Sequence, residues 1–282
     1  MNKLAAFFRA IKFSHSVFAL PFAVAAAFLA SEGRPSWVVM AKVLLAVVLA
    51  RTAAMAFNRW ADARIDARNP RTENREIPSG QLSRTFMGFS ALFCALAFVG
   101  VATWLNRLAF VLSPVALTVL LGYSYTKRFT SLSHVVLGVA LGLSPLGAWV
   151  AVRGELDWVP TVLGLAIVFW TAGFDIIYAC QDREFDVRNG LHSIPARLGT
   201  ERALRLTRYF HTIAVALLVC VGWLASLGLP YAIGVVCVAV ILAYENSLVK
   251  PNDLSKVNVA FFTLNGLVSM VFMAAVIAQT VL

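Results

Sequence analysis

Charge is scarce in this sequence. Only 13% of its 282 residues are Asp, Glu, Lys or Arg, and 60% are hydrophobic. A soluble domain of this length carries nearly twice that share of charge, so a soluble enzyme, or room for a soluble module, is excluded. Cysteine is scarcer still. Cys94, Cys180, Cys220 and Cys237 are scattered through apolar runs without a Cys-x2-Cys or any paired spacing. They read as small buried hydrophobes, not as a disulfide framework or a thiolate metal site. Acidic residues number 14 against 24 Lys and Arg. Such an excess could serve nucleic acid, but here it lies in short loops between hydrophobic stretches. Membrane orientation and phosphate binding account for it, and no nucleic-acid partner is expected.

What is present is apolar sequence in lengths of ~20 residues, enough for a helix to cross a bilayer. Nine spans are expected, near 13–31, 37–57, 85–105, 108–126, 133–152, 159–180, 208–227, 229–247 and 257–281. The chain is therefore expected to be an all-α polytopic membrane protein, a single integral domain over 1–282. Met1 to Ala30 has the basic-then-apolar order of a signal peptide but lacks a convincing small-x-small cleavage site, so it reads as a retained first helix. Pro114 and Pro145 fall inside spans, where each should kink the helix and free a carbonyl for another donor. The N-terminus and the loops after spans two, four, six and eight hold 19 of the 24 basic residues. By the positive-inside rule these face the cytoplasm across the inner membrane, and the C-terminus faces outward.

The acidic residues are concentrated. Asn58 to Ser83 holds four of them and five arginines, directly after an apolar run. Asn58, Asp62 and Asp66 are each four apart, which on a helix aligns them on one stripe with ~6 Å of rise between neighbours. Two carboxylates so placed repel unless a cation lies between them. Hard oxygen donors at this spacing suit Mg²⁺ held jointly with a substrate phosphate, so Asn58, Asp62 and Asp66 are candidate metal ligands. Arg71 and Arg75 follow as candidate phosphate donors.

Asp182 and Asp186 repeat the pair at the end of another apolar run. Tyr178 stands four residues before Asp182, as Asn58 does before Asp62. Ile77-Pro78-Ser79-Gly80 is echoed by Ile194-Pro195-Ala196-Arg197-Leu198-Gly199. Two matching acidic ends suggest a weak internal duplication with a site between the halves. The charge bias puts both on one membrane face, as a shared metal–diphosphate site requires.

Asn58-x3-Asp62-x3-Asp66 with Arg71-x2-Asn74-Arg75-x2-Pro78-Ser79-Gly80, and Asp175-x2-Tyr178-x2-Gln181-Asp182-x3-Asp186, resemble the two signature regions of the UbiA superfamily of membrane prenyltransferases. The likeness runs from Ile11 to the last helix and is greatest to the 4-hydroxybenzoate polyprenyltransferase branch. Ile11 to His15 and Gly173 to Asp182 are most similar to the members assigned to the futalosine route to menaquinone. One departure is Arg59, where many members carry Asp; a possible metal ligand is thereby lost.

The resemblance implies nine helices around a central cavity. It also implies Mg²⁺-dependent transfer of a polyprenyl group from polyprenyl diphosphate to a small aromatic acceptor in quinone biosynthesis, ubiquinone or menaquinone. The acceptor would be of the 4-hydroxybenzoate type or, alternatively, of the aminodeoxyfutalosine type. Tyr123 and Lys127, in a Tyr-x3-Lys-Arg pattern, would line the same pocket, Lys127 on the diphosphate and Tyr123 at the reacting centre. Gln181 joins the substrate-binding set. Tyr178 could offer its ring face to an allylic cation, or simply pack.

Arg51 lies inside the second span at i−7 from Asn58, on the same face. An intramembrane Arg is a functional candidate by default. Arg51 or His15 is expected to receive the acceptor's carboxylate; the bland alternative is a structural pair of Arg51 with Asp175. The remaining aromatic residues read as lipid-facing surface, core and interfacial belts. A secondary transporter of an anionic substrate is the rival from another class, but its site would lie near the bilayer midplane. A CDP-alcohol phosphotransferase would carry a longer acidic signature that is not in this chain.

Overall fold

The computed structural model describes residues 3–282. Met1 and Asn2, where the expected first helix and the 1–282 domain begin, lie outside the described residues. The chain folds as α1 (Lys3–Ala10), a 3-10 segment (Phe13–Phe18), α2 (Leu20–Ala30), α3 (Trp37–Asp66), α4 (Arg84–Leu105), α5 (Arg107–Thr126), α6 (Ser133–Arg153) and α7 (Trp158–Ala179). A 3-10 turn (Cys180–Asp182) leads into α8 (Arg183–Arg188), α9 (Ile194–Leu198), α10 (Thr200–Leu224) and α11 (Leu229–Leu248). A π-helical turn (Val259–Leu264) then runs into α12 (Asn265–Val281). Among the described residues, eight helices are long and apolar enough to cross a membrane, and a ninth span is formed if the pair bent by 41° at Ala19 is one crossing.

That bend corrects the expectation of a continuous first helix. Lys12 takes a left-handed φ of 50°, which stops α1. Pro21, in the first turn of α2, has no N–H to carry a helical ladder backwards. Ala19 N–H therefore closes a tighter turn onto Ser16 O at 3.1 Å. Two further boundaries move for a related reason. The helices α3 and α10 extend through charged sequence, to Asp66 and from Thr200, because a helix need not end where its hydrophobicity does. Inside α5, Pro114 leaves the Phe110 carbonyl without its helical donor, and Ser113 Oγ supplies one at 2.8 Å.

Apolar side chains such as Phe89, Phe93, Leu96, Val236 and Val240 face outward, as lipid-exposed surface requires. Trp37, Trp104, Trp158 and Trp223 are all highly exposed and sit at the same end of the bundle, at the start of α3 and α7 and the finish of α4 and α10. They form an interfacial aromatic belt. Cys94 and Cys180 are buried as expected, whereas Cys220 and Cys237 are exposed on the outer faces of α10 and α11. A weakly polar thiol is small and soft enough for a lipid-facing position.

α6 and α7 approach closely through glycine. A Cβ at Gly138 would stand 2.4 Å from Val168 O, and one at Gly142 would stand 2.7 Å from Gly164 O. Small residues at a four-residue spacing let helix backbones meet in a membrane. This contact brings His134, at the start of α6, beside the end of α7. Gly138→Val should therefore cost about 1–3 kcal/mol and lower the thermal midpoint in detergent. Gly147→Ala, where an added methyl meets nothing within 4 Å, should leave it level or slightly higher.

Candidate active site

α3 has 30 residues, a length of about 45 Å, against a hydrocarbon core of about 30 Å. Its last turns must overshoot the apolar layer, and the polar stripe lies there. Asn58 Nδ2 donates to Asp62 Oδ2 at 3.1 Å and to Ser124 Oγ of α5 at 3.4 Å. Asp62 is almost wholly buried and is held by Lys127 Nζ at 2.8 Å and Arg128 Nη2 at 3.2 Å. Asp66 accepts from Arg75 Nη1 at 2.9 Å. Arg59 donates from Nε to Ala10 O at 2.8 Å, while its Nη1 lies 4.0 Å from Asp66 at the cavity wall. In place of a ligand it supplies a clamp for the N-terminal segment.

The second acidic end meets the first through the intervening loop. Arg71 donates to both carboxylate oxygens of Asp182, from Nε at 2.7 Å and from Nη2, and Asn69 Nδ2 donates to the same group at 3.1 Å. The third arm of Arg71, Nη1, donates to Tyr178 Oη at 2.9 Å. The ends of α3 and α7 thus lie side by side. Asp182 and Asp186 differ in one respect from the expected helical pair: the 3-10 turn at Cys180–Asp182 interrupts the ladder between α7 and α8.

Asn58, Asp62, Asp66, Arg71, Arg75, Tyr123, Lys127, Tyr178, Asp182 and Asp186 all line one cavity of about 290 Å³, with Arg51 and His15 deeper in its wall. Gln181 does not join them. Its Nε2 turns back to the Tyr178 carbonyl at 3.3 Å, because the 3-10 turn rotates it off the cavity face. At its inner end the cavity meets an apolar chamber of about 430 Å³ between α3, α4, α5 and α6, and Arg51, Met55, Tyr123, Leu137 and Leu141 line both.

Asp175 is not paired with Arg51. Its Oδ2 lies 2.7 Å from His134 Nδ1, and the other ring nitrogen, Nε2, accepts from the Ile194 N–H at 3.3 Å. A backbone donor at Nε2 assigns the proton to Nδ1, which donates it to Asp175. Arg51 Nη2 reaches the Lys12 carbonyl at 3.3 Å, and its buried Nε has no hydrogen-bond partner among the described residues. His15 sits edge-on to Phe18 and against Phe261 and Phe262.

Sequence reasoning missed several of these groups. Asn69 continues the Asn58–Asp62–Asp66 stripe by three residues and could have been found there. Arg128 adjoins Lys127. His134 is a lone histidine on an apolar helix, paired 41 residues away, and nothing local announces it. Phe18, Phe174 and Phe261, read as packing, line the cavity wall.

Six cationic and five carboxylate side chains line the cavity. That near balance would be upset by the several negative charges of a bare diphosphate, so divalent cations accompanying it fit the charge of the site. Among the described residues no three His, Cys, Asp or Glu side chains are grouped to cage a metal. Mg²⁺ needs no cage, since it takes one or two carboxylates and completes its shell with water and substrate phosphate. The all-oxygen donor set of Asn58, Asp62, Asp66, Asp182 and Asp186 fits that ion, with carboxylate lone pairs to spare beyond the present contacts.

A polar cavity at the ends of long apolar helices, opening inward onto an apolar chamber, defines the class, a helical membrane protein with a two-part site. The sequence profile of the UbiA prenyltransferase family matches residues 19–267, and the chain belongs to that family. It is 30% identical over 280 residues to the 4-hydroxybenzoate octaprenyltransferase of Janthinobacterium sp. (strain Marseille), covering 96% of each chain. It is also 30% identical over 257 residues to that of Aliivibrio fischeri (strain MJ11), covering 88% of this chain and 86% of the relative. The apo structure of a UbiA homolog from Aeropyrum pernix K1 superposes with a TM-score of 0.85 at 31% identity, over 94% of this chain and 97% of that one. A UbiA homolog from Archaeoglobus fulgidus, bound to DMAPP and Mg²⁺, shares the fold with a TM-score of 0.72 at 20% identity, over 98% of this chain and 99% of that one. Membership of a prenyltransferase family displaces the transporter reading.

Proposed function

We propose that the protein transfers a polyprenyl group from polyprenyl diphosphate to an aromatic acid of the 4-hydroxybenzoate type, on the way to a membrane quinone. The observation that carries this reading is the convergence of both acidic ends and their arginines on one cavity that opens inward onto an apolar chamber. The head of a polyprenyl diphosphate suits the first and its tail the second. Mg²⁺, held by Asp62, Asp66, Asp182 and Asp186 with Asn58, would neutralise the leaving diphosphate. Arg71, Arg75 and Lys127 donate to its oxygens as charge builds there. The allylic C–O bond breaks, the diphosphate keeps the electron pair, an aromatic carbon bonds to the allylic carbon, and the ring proton passes to the departed diphosphate. Tyr178, its ring between Phe261 and the Arg71 guanidinium, holds that arginine at the leaving group, and the cavity phenylalanines Phe18 and Phe174 present aromatic surface to the cationic carbon. The dry walls protect that carbon from water.

The acceptor's carboxylate is assigned to Arg51, whose partnerless Nε supports it, with His15 beside it. Arg51→Leu should raise the acceptor KM by about 10- to 100-fold, the cost of one charge-assisted hydrogen bond of roughly 1.5–3 kcal/mol. Diphosphate affinity should stay level; the reverse pattern would refute the assignment. Supplying 4-hydroxybenzoate and an aminodeoxyfutalosine-type acid in parallel distinguishes the two acceptors. In the chamber, Ala102→Phe should shift preference toward shorter prenyl donors, and an unchanged chain-length profile would place the tail elsewhere.

The reading is tested with purified protein, labelled polyprenyl diphosphate, Mg²⁺ and acceptor. A lipid-soluble conjugate is expected, and none with EDTA. The basic loops favour a site facing the cytoplasm in the inner membrane, with the C-terminus outside, and the tryptophan belt at the far end agrees.

A further inference from the structure

A buried polar cluster lies outside the cavity, where α7, α11 and α12 meet. Glu245, Asn265 and Trp170 are all buried, the first two completely. Asn265 Oδ1 accepts from Trp170 Nε1 at 2.6 Å, and Asn265 Nδ2 donates to Glu245 Oε1 at 2.8 Å. The indole N–H can only donate and Nδ2 faces only acceptors, so the amide has one permitted orientation. In that orientation Nδ2 also reaches the Ala260 carbonyl at 2.9 Å and the Phe261 carbonyl at 3.3 Å. Both carbonyls belong to the π-helical turn Val259–Leu264.

A π turn is rare, costs regular hydrogen bonding, and recurs at functional sites. Here its geometry places one side chain. The Phe261 ring centroid lies 4.3 Å from that of Tyr178, 5.4 Å from Phe174 and 5.6 Å from Phe18. Tyr178 in turn accepts the hydrogen bond from Arg71, the residue that holds Asp182. The packed path runs from Trp170 and Glu245 through Asn265 and the π turn to Phe261, Tyr178 and Arg71.

We propose that Glu245, Asn265 and Trp170 are positioning residues. They hold the π turn in register so that Phe261 fixes the Tyr178 ring, and with it Arg71, at the diphosphate end of the cavity. The inference rests on the cavity being the reaction site. Intramembrane polar groups are costly to keep, and a carboxyl with one oxygen, Oε2, left without a hydrogen-bond partner among the described residues calls for a use beyond packing.

The test is binding of geranyl diphosphate with Mg²⁺ by calorimetry, together with kcat for conjugate formation. Asn265→Leu, similar in size but without the four contacts, should weaken geranyl diphosphate binding about tenfold and lower kcat, with the thermal midpoint recorded alongside. Glu245→Leu should do the same, whereas Glu245→Gln, which keeps an acceptor for Asn265, should recover most of the loss. In a Phe261→Ala background, Asn265→Leu should add little, because both act on one element. Trp170→Phe removes the indole N–H together with part of a ring packed on Phe22 and Phe174, and a threefold or greater loss of affinity is expected there even if Asn265→Leu does not accumulate. Folded Asn265→Leu or Trp170→Phe with unchanged affinity and kcat, or full additivity with Phe261→Ala, would overturn the proposal. Wild type binding no better than Asp62→Ala would instead bring down the active-site reading beneath it.

Discussion

Asp62→Ala and Asp182→Ala should each reduce conjugate formation by about 10³-fold or more, while the protein still folds. The magnitude follows from two losses at once. Each variant removes an oxygen donor for the divalent cation, and each leaves cations without their carboxylate: Lys127 and Arg128 in the first case, Arg71 in the second. Losing one preorganised group that stabilises leaving-group charge costs about 10²–10³ in rate by itself, and the orphaned cations are then free to clamp the diphosphate in an unproductive pose. KM for the diphosphate should therefore change less than kcat. A variant that kept wild-type kcat and lost only affinity would assign the carboxylate to binding alone.

Arg71→Lys should cost about 10²–10⁴ in kcat/KM, although charge is conserved. The guanidinium makes three directed contacts, two to Asp182 and one to Tyr178, and its plane also covers the Tyr178 ring, with Cζ 5.0 Å from the centroid. A lysine ammonium is a point charge that can keep one of these. Two charge-assisted hydrogen bonds at roughly 1.5–3 kcal/mol each give the expected loss. Lys127→Arg, at a position where one Nζ contact to Asp62 is made, should be milder. Equal effects of the two exchanges would show that only net charge matters there.

The spans were legible because a bilayer needs long apolar runs, and the acidic stripe because a four-residue period stands out against them. The coming together of Asp62 and Asp182 was legible only as a geometric requirement; Asn69 is an ordinary loop residue in the sequence, and Arg71, legible there as a phosphate donor, carries no sign that it ties the two ends. Three features were hidden for physical reasons. Lys12 breaks the first helix through a left-handed backbone angle that no side-chain pattern encodes. The π turn has the same apolar composition as a regular helix, so Phe261 could not be assigned a face. His134 and Asp175 are joined by tertiary packing through Gly138, not by any local spacing. Gln181 failed for the opposite reason: its place within a signature was clear, but a turn of 3-10 geometry rotated it away.

The most direct measurement is the stoichiometry and affinity of Mg²⁺-dependent geranyl diphosphate binding to wild type, Asp62→Ala, Asp182→Ala and the double variant in nanodiscs. One shared site predicts a single bound diphosphate per chain, whose Mg²⁺-dependent gain in affinity is lost comparably in either single variant and scarcely further in the double. Two half-occupied sites, with each single variant retaining one, would contradict it.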